Sequence, residues 1–169
     1  MKINKICFVG YGSHVEKTII PSLSLKNNNI KIITTKPIVT KFEIFPNLKS
    51  AINQIDRDFI FYNSTPPAIH FLTSKLIISN GYNLIIEKPI CLNVIQLNKL
   101  RFLADLHNVF IFENMMYFYS KQFSIFNKYI NINSNKINSI NINFCIPNFN
   151  KNSFRSNTNI NSSLLYDVA

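Results

Sequence analysis

Short apolar runs alternating with helix-length stretches constrain this chain more than any other feature. Residues 3–9 (INKICFV), 30–35 (IKIITT), 59–63 (FIFYN), 83–87 and 109–112 read as strands. Between them, residues 14–25, 67–80 and 94–107 read as helices, the first interrupted by Pro21 and the second closed by Gly81. A glycine suits a helix carboxyl end because it adopts the left-handed conformation without strain. Strands separated by helices form parallel sheets with helices on both faces, and such strands read as near-continuous apolar runs. The expected class is therefore α/β, with a parallel sheet covered on both faces.

Residues 42–45 read as a further strand and 48–55 as a short helix. Only about six residues separate Thr35 from Phe42, with Pro37 among them. A parallel crossover normally takes about 10–12 residues or more. The usual second helix cannot fit.

Composition shifts after Tyr117. Residues 120–129 read as a helix, and 127–161 are rich in asparagine, with an alternating, strand-like SININFCI at 139–146. Two regions are expected: 1–116, and 117–169 as the truncated start of an α+β second domain. The final SLLYDVA looks like an opening helix.

The net charge is +10 and hydrophobic residues make up 47% of the 169. A basic chain favours anionic partners. The lysines are scattered, however, and arginine occurs only at Arg57, Arg101 and Arg155, so nothing resembles the dense basic stripe of a nucleic-acid binder. Cys7, Cys91 and Cys145 are odd in number and far apart, which points to free thiols in a reduced, cytoplasmic setting and to no metal site. The first ten residues carry no signal-peptide pattern, and no run approaches the ~20 apolar residues of a membrane span.

Only three glycines occur, and two of them, Gly10 and Gly12, directly follow the first apolar run in VGYGSHVEKTIIPSL. A G-x-G there lets the backbone turn sharply and approach a pyrophosphate at the next helix start. Val15 stands where a third glycine would aid helix–strand packing. After the second strand, NAD binders usually place an acid against the ribose. This chain has Thr34, Thr35 and Lys36, a set able to hold a 2′-phosphate, which favours NADP over NAD. The alternative is that Lys36 is an ordinary surface lysine. Since the usual second helix cannot fit, either the strand at 42–45 pairs differently or the adenosine side of the pocket is pared down. The missing acid also counts against a methyltransferase.

LIIEKPI at 84–90 ends an apolar strand on a carboxylate, an ammonium and a proline. Together with VGYGSHVEKTIIPSL, STPPAIH (64–70) and ENMMYFYSKQF (113–123), it makes the chain resemble the Gfo/Idh/MocA oxidoreductases. These are relatives of glucose–fructose oxidoreductase, inositol dehydrogenase and dimeric dihydrodiol dehydrogenase. The resemblance implies an N-terminal Rossmann-like NAD(P)-binding domain and a C-terminal domain with a large open sheet. It also implies hydride transfer between NADP or NAD and a sugar-like hydroxyl or carbonyl.

Carried over, Gly10, Gly12, Ser13 and His14 line the phosphate turn, and Thr65, Pro66 and His70 lie near the cofactor. Glu87 and Lys88 sit by the nicotinamide ribose, with Lys88 catalytic. Tyr117, Arg155 and Asp167 face substrate. A homo-oligomer through the second-domain sheet is a further expectation. The sequence departs from the family pattern at Phe118, where members often have arginine, and at Asn161, Ser162 and Ser163, which replace glycines. The family's second acid/base would fall beyond Ala169.

A lysine ammonium beside a reacting carbonyl stabilises the developing alkoxide and can donate its proton. Proline after Lys88 restricts the lysine to extended backbone and allows a cis bond. The plainer readings are a surface lysine paired with Glu87, and for His70 a residue of a helix first turn. The competing function is a truncated, catalytically weak homologue that acts as a nucleotide-binding or interaction module.

Overall fold

The computed structural model describes residues 3–143 and 145. The chain runs through β1 (Ile6–Val9), a π-helical turn (Val15–Ile19), α1 (Ile20–Ser22), β2 (Ile30–Ile33), β3 (Glu43–Phe45) and α2 (Leu48–Ile52). It continues through β4 (Ile60–Asn63), α3 (Pro67–Ser79), β5 (Leu84–Glu87), α4 (Val94–His107), β6 (Ile111–Asn114) and α5 (Lys121–Asn133). The strands form one sheet in the order β3-β2-β1-β4-β5-β6, and every adjacent pair is parallel. That is the Rossmann order, with strand succession reversing between β1 and β4.

Alternation within β1 sends side chains to two cores. Ile6 and Phe8 join Val15, Ile30 and Tyr62 on the face covered by the first helical segment. Cys7 and Val9 join Phe61, Leu84 and Ile86 on the face covered by α2, α3 and α4, which contribute Ile52, Ile77 and Leu100. All four residues of β1 are buried because the strand has neighbours on both edges and helices on both faces. Burial pushes the Cys7 thiol well above its ordinary pKa, against the smaller opposing effect of Lys31.

The helix ends follow local chemistry. The side chain of Asn93 accepts from the Gln96 N–H at 2.9 Å, and that of Gln96 accepts from the Leu92 N–H at 3.0 Å. Asn108 closes α4 in the left-handed region at φ 51°, which asparagine tolerates better than most residues.

Several boundaries differ from expectation. The missing second helix does not: residues 34–42 hold no helix, and β3 nonetheless pairs parallel with β2. The edge strand is held instead by its own contacts. Lys31, in register with Glu43, pairs with it at 2.9 Å, Phe45 is buried, and the Thr34 N–H donates to the Phe45 carbonyl at 3.1 Å. The first helical segment stops at Ser22, with Leu23 already extended. β6 begins at Ile111 because the Val109 N–H bonds back to Ala104 of α4 and the Phe110 N–H to the Asn83 side chain. Residues 137–143 are irregular rather than the start of a strand. The apolar residues of the helices are not all core: Ile95, Phe102 and Leu106 of α4 are exposed. No residue of α5 is buried.

Tyr82 ties the two ends of this core together. Its ring lies 4.6 Å from that of Phe61, and its hydroxyl lies 2.9 Å from the Ile52 carbonyl and 2.7 Å from that of Ile55. Tyr82→Phe keeps the ring and removes the donor, so urea unfolding should report a loss of about 1–2 kcal/mol. An unchanged midpoint would show that the hydroxyl contributes nothing to anchoring the end of α2.

Candidate functional site

The site is built where the chain leaves the carboxyl ends of β1, β2, β4, β5 and β6. Gly10 turns off β1 at φ +92°, and a Cβ there would meet the Ser64 carbonyl oxygen at 3.0 Å. The turn is bonded on both sides. The Gly10 N–H donates to the Ile33 carbonyl at 2.9 Å, and the Ser64 hydroxyl donates to the Gly10 carbonyl at 2.9 Å. Glycine is thus required at position 10 by conformation and by space.

Gly12 differs. A Cβ there would meet nothing within 4 Å, so the protein's own packing does not demand glycine. It does wall a cleft of about 480 Å³. The cleft is bounded also by Gly10, Thr34, Thr35 and Lys36 on the β2 side and by Thr65, Pro66 and Ile69 on the β4 side. The missing side chain keeps open the space beside a helix start, where backbone N–H groups attract anions. Thr34 to Lys36 form a tight turn, in which the Lys36 N–H donates to Thr34 Oγ1 at 3.2 Å.

A second cluster lies at the ends of β4, β5 and β6. The Tyr62 hydroxyl donates to Glu87 Oε1 and accepts from Asn114 Nδ2 at 2.7 Å. Asn114 Nδ2 also reaches Glu87 Oε1, at 3.1 Å. Burial first, then the hydrogen bond and charge of Glu87, push the Tyr62 phenol well above its ordinary pKa, with the Asn114 bond opposing. Tyr62 therefore stays a donor. His14 Nε2 lies 3.6 Å from the same Glu87 oxygen, which joins the glycine turn to this cluster.

Lys88 follows Glu87 half-buried at the strand end, and the Lys88–Pro89 peptide is cis. The segment beyond is fixed from two sides. The Ile90 N–H donates to Glu113 Oε1 at 2.7 Å, and the Pro89 carbonyl lies 2.7 Å from His70 Nδ1.

Of the two readings of His70, the structure matches the plainer one, a residue near the start of α3 rather than a cofactor contact. His70 does not wall the cleft. It is 1% exposed, and its other nitrogen, Nε2, lies 2.6 Å from the Thr65 carbonyl. The ring links the β4–α3 loop to the Lys88 segment and presents no free edge to a ligand. Asn63 supports the same loop, with Oδ1 accepting from the Thr65 N–H at 3.2 Å and Nδ2 donating to Ser74 Oγ at 3.1 Å.

Of the residues singled out from sequence, Gly10, Gly12, Thr35, Lys36, Thr65 and Pro66 wall one cleft. Ser13 is exposed next to the turn. His14, Glu87 and Lys88 do not line that cleft; His14 follows the glycine turn in sequence and reaches Glu87 Oε1 at 3.6 Å, and Lys88 comes next in the chain. Tyr117 lies instead in an exposed aromatic group, its ring 4.5 Å from Phe118 and 5.6 Å from Phe123. Arg155 and Asp167 lie outside the described residues. Tyr62, Asn63, Glu113 and Asn114 escaped the sequence reading. The available signal was positional: each is a polar group at the carboxyl end of an apolar strand, where an open α/β sheet meets its ligand. Among the described residues no His, Cys, Asp and Glu cluster could hold a metal ion, and no helix is long and apolar enough to cross a membrane.

No protein-family model and no curated protein matches the chain. Solved structures do match it. The KijD10 3-ketoreductase from Actinomadura kijaniata, in complex with NADP and TDP-benzene, superposes with a TM-score of 0.80 at 15% identity, over 99% of this chain and 54% of that one. The WlbA dehydrogenase from Bordetella pertussis, in complex with NADH and UDP-GlcNAcA, gives 0.68 at 16% identity, over 78% and 44%. D-galactose-1-dehydrogenase from Rhizobium etli gives 0.67 at 16%, over 78% and 43%. The fold is thus one found in oxidoreductases and dehydrogenases, and this chain spans about half the length of the solved structures it matches.

The two glycines make separable demands. Gly10→Ala should lower stability to urea by about 1–3 kcal/mol, because alanine is strained at that φ and meets the Ser64 backbone. Gly12→Ala should stay within about 0.5 kcal/mol of the parent. Equal losses at both positions would show that the turn, rather than the open cleft wall, explains both glycines.

Proposed function

We propose that the chain is the nucleotide-binding part of an NAD(P)-dependent oxidoreductase of the Gfo/Idh/MocA type, acting on a hydroxyl or carbonyl of a sugar-like substrate. The observation that carries this reading is Gly12. Its missing side chain is unneeded by the fold, yet it keeps a cleft wall open between a helix start and the Thr34–Lys36 turn. A dinucleotide fits those groups: pyrophosphate against the glycine turn, adenosine ribose against Thr35 and Lys36, and the second ribose toward Glu87. When bound, the nicotinamide supplies or takes up the hydride.

The chain's own residues supply the rest. The Lys88 ammonium stabilises the alkoxide that forms as a carbonyl is reduced and passes it a proton; in the oxidation direction the proton returns. Glu87 helps set the position of that lysine and offers an acceptor to a ribose hydroxyl. Lys36, beside two threonine hydroxyls and no carboxylate, favours the 2′-phosphate of NADP. The complexes of the similar ketoreductase with NADP and of the similar dehydrogenase with NADH support the cofactor class. The division at residues 116/117 into a cofactor domain and the start of a substrate domain belongs to the same proposal, as do substrate roles for Tyr117, Arg155 and Asp167.

Two measurements test the reading. Lys36→Ala should raise the Kd for NADPH about tenfold and leave that for NADH nearly unchanged, because only NADPH presents a dianion there. Parallel losses for both cofactors would place the 2′-phosphate elsewhere. In a screen of sugars and polyols, Lys88→Ala should lower kcat at least about 100-fold while cofactor affinity changes little. Cofactor binding without any turnover would leave the chain a nucleotide-binding module.

A further inference from the structure

We infer that Tyr62 and Asn114 are positioning residues that hold the Glu87 carboxylate in place for the bound cofactor, an inference that rests on the dinucleotide reading above. Three neighbouring strands bring these side chains together. Tyr62 is in register with Ile85, two residues before Glu87, and Glu87 is in register with Asn114. Side chains alternate along a strand, so all three fall on one face of the sheet. That face is the one on which Tyr62 packs with Val15, so the first helical segment covers it.

Packing alone does not call for a tyrosine at position 62. Its ring sits 5.3 Å from that of Phe8 in an apolar cluster, and phenylalanine would fill the same space. The hydroxyl has a specific use. It gives its proton to Glu87 Oε1, so its oxygen takes the Asn114 amide proton, and the same amide reaches Glu87 directly. His14 Nε2 approaches that oxygen too. The contacts therefore converge on one carboxylate oxygen of a side chain that is 16% exposed. They fix the plane of the carboxylate and leave Oε2 as the acceptor offered to a ribose hydroxyl. A carboxylate held in this way loses little freedom when ligand arrives, and that preorganisation raises affinity.

A double-mutant cycle on NADPH binding by the full 169-residue chain tests this. Tyr62→Phe should weaken binding about tenfold, and Glu87→Ala at least as much. The double variant should bind no more than about twofold worse than Glu87→Ala alone, because Tyr62 acts only through Glu87. Asn114→Ala, at a half-buried strand end, should weaken binding about fivefold and likewise add nothing once Glu87 is gone. It decides the matter if Tyr62→Phe does not fold. Additive losses, or a Tyr62→Phe protein that binds like the parent, would overturn the positioning role alone. A parent chain that binds no nicotinamide cofactor would overturn the functional reading and this inference with it.

Discussion

Everything at the carboxyl edge of this sheet depends on how closely two backbones approach at Gly10. The chain leaves β1 in the left-handed region, and the space a side chain would occupy is filled by the Ser64 carbonyl. That contact brings the β1 turn against the loop after β4, the two strands between which the succession reverses. An open α/β sheet has its natural crevice at this point, because the loops on either side run off to opposite halves. The cleft, the helix start beside Gly12 and the Thr34–Lys36 wall follow from that one turn.

A second constraint explains why polar side chains gather at the mouth of an apolar core. β4 ends on Asn63, beside Ile86, and β5 and β6 end level with each other on Glu87 and Asn114. Inside the sheet such groups would be costly to bury. At the strand ends they satisfy one another and the loops. Asn63 organises the Thr65 turn, Tyr62 and Asn114 hold Glu87, and His70 and Glu113 grip the segment after Lys88. The carboxylate and ammonium that end β5 thus stand on a bonded scaffold rather than on a loose loop.

The sequence made the regular parts legible where local chemistry sets the boundaries. α3 begins at Pro67 and stops short of Gly81, and α4 lies between Asn93, whose side chain caps its start, and the left-handed Asn108 at its close. The glycine turn was legible because glycine is so scarce in this chain. Other features were hidden because strand pairing creates them. Tyr62 sits in FIFYN and reads as core, and only its register with β5 and the neighbouring end of β6 gives its hydroxyl a partner. Loop length showed that no second helix fits between β2 and β3 but left the pairing open, and the Lys31–Glu43 pair and the burial of Phe45 hold the strand parallel without one. His70 was placed near a cofactor by resemblance, and its burial between two carbonyls makes it a structural link instead.

The central claim is that the cleft at the end of β1 holds a nicotinamide dinucleotide. Titrating the chain into NADPH and following the nicotinamide emission tests it directly, and the absence of tryptophan keeps the protein's own signal low. The expected result is saturable binding of one cofactor per chain, weakened at least about tenfold by Gly12→Ala at unchanged stability. No saturable binding at millimolar cofactor, or full binding by Gly12→Ala, would contradict it.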